Sequence, residues 1–163
     1  MKKLNKKGFT LIELLAVIVI LAILIAVAVP AITRYLAEAR KGTFVDNAQA
    51  AITAVRDEEI ISSIGTTSVS YDAGTKYIEK DTKATVYTKD AINKLLEKKL
   101  NTSPYGKVYS ADSYIKVTPA ADGTYTFEIC LSDGTHKISG TEENLSKTSV
   151  TTTTEDCTIP TRN

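Results

Sequence analysis

The stretch KKGFTLIELLAVIVILAILIAVAVPAI, residues 6–32, is the most apolar part of the chain, yet it holds one acid, Glu13, and one proline, Pro30. Every residue from 14 to 29 is apolar. As a helix, residues 9–32 would be about 36 Å long, enough to cross a hydrocarbon core of about 30 Å. An acid at the centre of such a helix costs roughly 2.5–3.5 kcal/mol, so Glu13 predicts a function that supplies a partner for its charge.

The positive charge is concentrated in front of this stretch. The formal net charge is +1, from 20 basic and 19 acidic residues, and four of the basic residues are Lys2, Lys3, Lys6 and Lys7. Positive flanks stay in the cytoplasm, so these lysines predict that the chain beyond the span lies outside the cell. Nothing suggests a nucleic-acid-binding face, and we expect no specific nucleic-acid partner.

Two ordinary interpretations of the N-terminal stretch are a secretory signal peptide and a plain signal anchor. The apolar region of a signal peptide usually has about 7–15 residues, and this one is longer, although residues 26–28 (Ala-Val-Ala) look like a cleavage site. Neither interpretation explains Glu13 or the junction between Gly8 and Phe9.

Residues 6–14, KKGFTLIEL, closely resemble the class III signal of type IV pilins and their relatives. The resemblance implies that a prepilin peptidase cuts after Gly8, that the new N-terminal Phe9 is N-methylated, and that Glu13 acts in assembly. The short basic leader, residues 1–8, is similar to that of type IVa-like pilins.

The chemistry of these positions can be argued separately. Gly8 lets the backbone lie extended in a protease cleft. Cleavage frees the Phe9 amine, which can pair with Glu13 of its own or a neighbouring subunit; at about 4 Å such a pair is worth several kcal/mol before desolvation. Pro30 lacks an N–H group and is expected to kink or locally melt the helix. A tolerated membrane-helix kink is the plainer interpretation of Pro30.

The helix is predicted to continue through an amphipathic half, residues 33–64, and to end near Gly65. Its apolar stripe has helical spacing: Phe44, Ala48, Ala51, Ile52 and Val55. This half should pack under a sheet. The acidic run at residues 57–59 is interpreted as a solvated face.

We predict an α+β fold, the pilin fold, in which the long helix packs against a three- to four-stranded antiparallel meander in residues 111–163. Residues 65–110 are predicted to be a connection with a short helix, KDAINKLLEKKL, capped by Thr88. Turns are expected at 122–123 and 133–134, both Asp-Gly. The strand residues expected to face the helix are Tyr125, Phe127, Ile129 and Leu131.

Cys130 and Cys157 allow one intrachain pairing, and a segment outside the membrane can form a disulfide. The resemblance implies such a bond, because many type IV pilins have a C-terminal disulfide loop. Two free thiols are the alternative, since many Gram-positive pilins lack the pair.

We find no catalytic constellation, and we expect neither an enzyme nor a cofactor. His136 is the only histidine and has no companions for a metal site. Residues 103–109, SPYGKVY, loosely resemble a loop of the major pseudopilins of type II secretion, where calcium lies near the C-terminus. No acidic cluster has calcium-loop spacing, so no metal is expected.

The resemblance as a whole implies a structural pilin subunit, of Gram-positive and major type. It would be held in the cytoplasmic membrane, processed, and polymerised with other pilin subunits on an assembly platform into a type IV pilus. Adhesion, twitching motility and DNA uptake are the family's functions. The alternatives are a pseudopilin of a secretion or competence machine, and a signal-anchored extracellular binding domain.

Overall fold

The computed structural model describes residues 8–65, 69–80 and 82–162. The chain divides into two compact units, Met1–Glu38 and Ala39–Asn163, and the first helix, α1 (Leu11–Ser63), begins in one unit and ends in the other. Of the predicted leader only Gly8 is among the described residues.

The described part of the first unit has no buried residue. Within the described chain, α1 is the one helix long and apolar enough to cross a membrane, and none of its most apolar window is buried. A helix that is apolar all round needs a bilayer or other protein around it. Pro30 lies inside α1 without a break in the helix, so the local melting expected there does not occur; the bend stays a prediction.

The second half of α1 has the buried stripe that the helical spacing predicts. The buried residues of α1 recur every three or four positions: Phe44, Val45, Ala48, Ala51, Ile52, Val55 and Glu58. Gly65 follows the helix end with a φ of +72°, a conformation that glycine adopts without strain. The predicted stop is therefore confirmed.

The sheet has six strands in sequential, fully antiparallel order. The strands are β1 (Lys76–Ile78), β2 (Thr85–Thr88), β3 (Tyr114–Pro119), β4 (Tyr125–Ser132), β5 (His136–Thr141) and β6 (Val150–Thr152). The predicted meander corresponds to β3–β6, and the α+β architecture is confirmed. The two additional strands, β1 and β2, lie in the segment that we had predicted to be a connection.

The short helix of that segment, α2, spans Lys89–Leu95, and Thr88 is its N-cap residue as predicted, but the Thr88 side chain makes no capping hydrogen bond. The helix ends five residues before Leu100. Leu96 is already extended, with φ −86° and ψ 132°, which stops the helix. Leu100 is buried all the same.

The core joins the α1 stripe to Phe127, Ile129 and Leu131 of β4. Tyr125, the fourth residue predicted to face the helix, stays 39% exposed at the start of the strand.

The C-terminal tail, residues 153–162, is fixed to the sheet at several places, beginning with the backbone N–H of Thr153, which donates to the carbonyl of Thr135 at 2.9 Å. Cys157 forms a disulfide with Cys130 of β4. Further along, the hydroxyl of Tyr77 in β1 donates to the carbonyl of Pro160 at 2.7 Å, and the backbone N–H of Lys80 donates to the carbonyl of Thr161 at 3.2 Å. The tail therefore connects a central strand to the edge strand β1.

Candidate functional site

The predicted processing junction is exposed. Gly8 and Phe9 precede the first turn of α1, and Phe9 is 93% exposed. A peptidase needs an extended, accessible backbone, and a glycine at this position adds no side chain that would fill the cleft. The arrangement fits cleavage between the two residues.

Thr10 and Glu13 form a reciprocal capping box at the start of α1. The backbone N–H of Thr10 donates to Oε2 of Glu13 at 2.8 Å, and the Thr10 hydroxyl donates to the same oxygen at 2.7 Å. In return, the N–H of Glu13 donates to Oγ1 of Thr10 at 3.3 Å. This pattern satisfies backbone donors that a helix N-terminus otherwise leaves without partners.

The capping box holds the Glu13 carboxylate at the beginning of the helix, four residues after the predicted new N-terminus. A negative charge in the first turn is also favoured by the helix dipole. Among the described residues no hydrogen bond reaches Oε1 of Glu13. One carboxylate oxygen therefore accepts both local hydrogen bonds from Thr10.

Thr10 had not been singled out in the sequence, and Glu13 had been predicted to act in assembly alone. The structure gives Glu13 a local role in helix initiation as well. The signal was present, since Thr10-Leu11-Ile12-Glu13 has the Thr-x-x-Glu spacing of a capping box before an apolar run.

The loop that loosely resembles a pseudopilin loop is part of the packing of the second unit. Ser103 donates from Oγ to Oδ2 of the buried Asp133 at 2.5 Å. The Tyr105 ring stacks on His136 with centroids 3.4 Å apart and planes 3° from parallel. The described residues hold no group of three or more His, Cys, Asp or Glu side chains that could bind a metal ion.

Asp133 is the buried charge that fixes this loop. Its Oδ1 accepts the backbone N–H groups of Thr135 at 2.9 Å and of His136 at 2.7 Å. Burial opposes the charge, but these hydrogen bonds and the one from Ser103 outweigh burial and hold the pKa of Asp133 below its ordinary value.

Asp133→Asn should lower the free energy of unfolding at pH 7 by about 1.5–3 kcal/mol, because the hydrogen bonds to a charged acceptor are weakened. A depressed pKa stabilises the fold above the unfolded pKa, and that stability is lost as the pH falls through the folded pKa. The difference between wild type and variant should therefore shrink in acid, below about pH 4. Denaturant titrations at pH 7 and pH 3 measure it; a difference that does not change with pH would contradict the assignment.

Two acids of the run at residues 57–59 are not on a solvated face. Glu58 is buried, and its Oε1 accepts the backbone N–H of Val69 at 3.2 Å. Glu59 accepts a hydrogen bond from the Tyr87 hydroxyl and lies 3.5 Å from Nζ of Lys76. These carboxylates fasten the segment after α1, and strands β1 and β2, to the helix.

The comparisons with known proteins agree with the N-terminal site. Residues 3–29 match the prokaryotic N-terminal methylation motif. The chain therefore carries a prepilin signal of the kind found in type IV pilins and pseudopilins. That motif implies processing by a prepilin peptidase and polymerisation in general. Comparison with curated proteins and with solved structures found no significant match.

Proposed function

We propose that this chain is a structural subunit that polymerises into a type IV pilus on the cell surface. The observation that carries the proposal is the coincidence of three features at one end of the chain. The methylation motif, the capping box that places Glu13, and the apolar part of α1, which has no buried residue, all lie in the same N-terminal segment.

Each feature has a role in the proposed assembly. Before assembly the bilayer covers the apolar helix, and in the filament the same segments of neighbouring subunits cover one another. Lipid provides no hydrophobic drive for helices to associate, so a specific polar contact has to set their register. The pair between Glu13 and the Phe9 amine of its own or an adjacent subunit supplies that contact. The cost of desolvating both charges reduces the net stabilisation that the pair provides.

The proposed partners follow from this role. They are other pilin subunits, the prepilin peptidase, the assembly platform, and the cytoplasmic membrane before polymerisation. The second unit would be displayed at the filament surface, where a disulfide-closed tail suits an oxidising exterior. The role is structural, and no reaction is proposed for the chain.

Electron microscopy of surface filaments, combined with mass spectrometry of sheared filaments, tests the proposal. We expect this chain to be the bulk protein of long filaments. Trace recovery would instead favour a pseudopilin or a minor subunit. Recovery in the membrane alone, with no filament that depends on the gene, would favour an anchored binding domain.

A further inference from the structure

The second unit contains two Asn-x-Ser triplets that match the acceptor motif for N-linked glycans, Asn101-Thr102-Ser103 and Asn144-Leu145-Ser146. The motif requires an accessible asparagine amide and an accessible hydroxyl two residues later. The two triplets differ sharply in whether the fold leaves those groups accessible.

The first triplet is blocked at its hydroxyl. Ser103 is buried, and its Oγ donates to the buried carboxylate of Asp133 at 2.5 Å while accepting the backbone N–H of Tyr105 at 3.2 Å. Presenting Ser103 to an enzyme would mean breaking the contact that fixes this loop. The triplet at Asn101 therefore matches the motif, but its hydroxyl is not accessible in the folded protein.

The second triplet is open. Asn144 and Ser146 are exposed, and Leu145 between them is buried, which anchors the segment between β5 and β6. The Ser146 hydroxyl makes local contacts: it lies 2.7 Å from the hydroxyl of Thr148 and 3.4 Å from that of Ser149, and it caps the short 3-10 helix that follows by accepting the backbone N–H of Ser149. Reaching both groups disturbs only contacts within residues 141–149 and no buried side chain.

The amide of Asn144 can carry a sugar without losing its own contact. Its Nδ2 donates one hydrogen to Oγ1 of Thr141 at 2.9 Å. A primary amide has two hydrogens, and N-glycosylation replaces one of them. The remaining hydrogen can keep the bond to Thr141.

We propose that Asn144 is an N-glycosylation site and that Asn101 is not. The donor is a polyprenyl-pyrophosphate-linked oligosaccharide on the outer face of the membrane. The bond from the sugar C1 to the pyrophosphate oxygen breaks, the bond from C1 to Asn144 Nδ2 forms, and the proton leaves the amide as the lipid pyrophosphate departs. The proposal requires the second unit to lie outside the cell, but it does not require polymerisation.

Trypsin separates the two triplets, because cleavage after lysine releases residues 100–107 and 138–147 as different peptides. In full-length protein from the native strain, from both membranes and filaments, we expect a glycan mass on 138–147 and an unmodified 100–107. Asn144→Gln and Ser146→Ala should abolish the added mass completely. Two control variants should retain the added mass on 138–147: Asn101→Gln, which changes only the blocked triplet, and Ser146→Thr, which keeps the motif at Asn144.

An unmodified 138–147 peptide in wild-type protein would overturn the proposal. So would a sugar that persists on the 138–147 peptide in Asn144→Gln, since that result would mean O-linkage to a hydroxyl of this peptide. A glycan found in the membrane pool without any filament would support this site while contradicting the proposed pilus.

Discussion

Glu13→Val should leave the protein inserted in the membrane and cleaved, and should reduce its incorporation into filaments by roughly tenfold or more. The variant removes the proposed charge pair, whose net contribution at each subunit contact need only exceed about 1.4 kcal/mol to give that factor. Comparing the membrane pool with sheared filaments in the native strain measures the effect.

The capping box makes matched controls necessary, because Glu13→Val also removes the acceptor for Thr10. Glu13→Gln keeps an oxygen that can accept from Thr10 but has no charge, so it should fail to assemble much as Glu13→Val does. Thr10→Val removes the cap and keeps the charge, and should lose only about 0.5–2 kcal/mol of helix stability. Glu13→Asp should be intermediate, since its reach is one methylene shorter.

These variants separate three explanations. Wild-type assembly of Glu13→Gln with failure of Thr10→Val would mean that Glu13 acts through the cap rather than through its charge. Wild-type assembly of Glu13→Val would refute the pairing. Failure of Glu13→Val to be cleaved would assign Glu13 to peptidase recognition instead.

The second large effect is expected on the stability of the second unit. Replacing Cys130 and Cys157 together by serine should lower its free energy of unfolding by about 3–4 kcal/mol, because the disulfide closes a loop with a sequence separation of 27 residues. The melting temperature should fall on the order of 10 °C. Reduction of the wild-type protein should produce the same loss.

Hydrogen exchange would locate the effect of opening the loop. With the disulfide gone, the tail should separate from β1, and the amide of Lys80, which donates to Thr161, should lose protection. The protection of the amides of β3 and β4 from exchange should change little at low denaturant. Two cysteines that alkylate in native, unreduced protein would show that the bond is not formed.

Much of this fold is readable from local periodicity. Apolar residues recur at helical spacing from Phe44 to Val55, and apolar and polar residues alternate in the sequence of β4. The Asp-Gly pairs mark the turns on either side of β4. Strands β1 and β2 have three and four residues; β1 pairs with β2, and β2 joins the sheet by pairing with β3, which lies about 30 residues further along the chain. Strand propensity over so few residues carries little signal, so pairing with neighbouring strands determines whether these residues form strands at all.

The buried acids also combine a feature that local sequence predicts with one that depends on distant parts of the chain. Glu58 lies three residues after Val55 on the apolar stripe, so its position on the packed face could have been predicted. Its partner, the N–H of Val69, is set by the path of the chain after α1 and has no local signature. At the N-terminus the reverse holds: the capping box is fully local, and only its spacing had been overlooked.

Top-down mass spectrometry of the chain in sheared surface material tests the processed-prepilin account most directly, because N-terminal fragment masses do not depend on modifications further along. We predict that the mature chain begins at Phe9 and carries one added methyl group. A chain that begins at Val29 would mean ordinary signal peptidase and would contradict the account, and an unprocessed Met1 would show a plain membrane anchor.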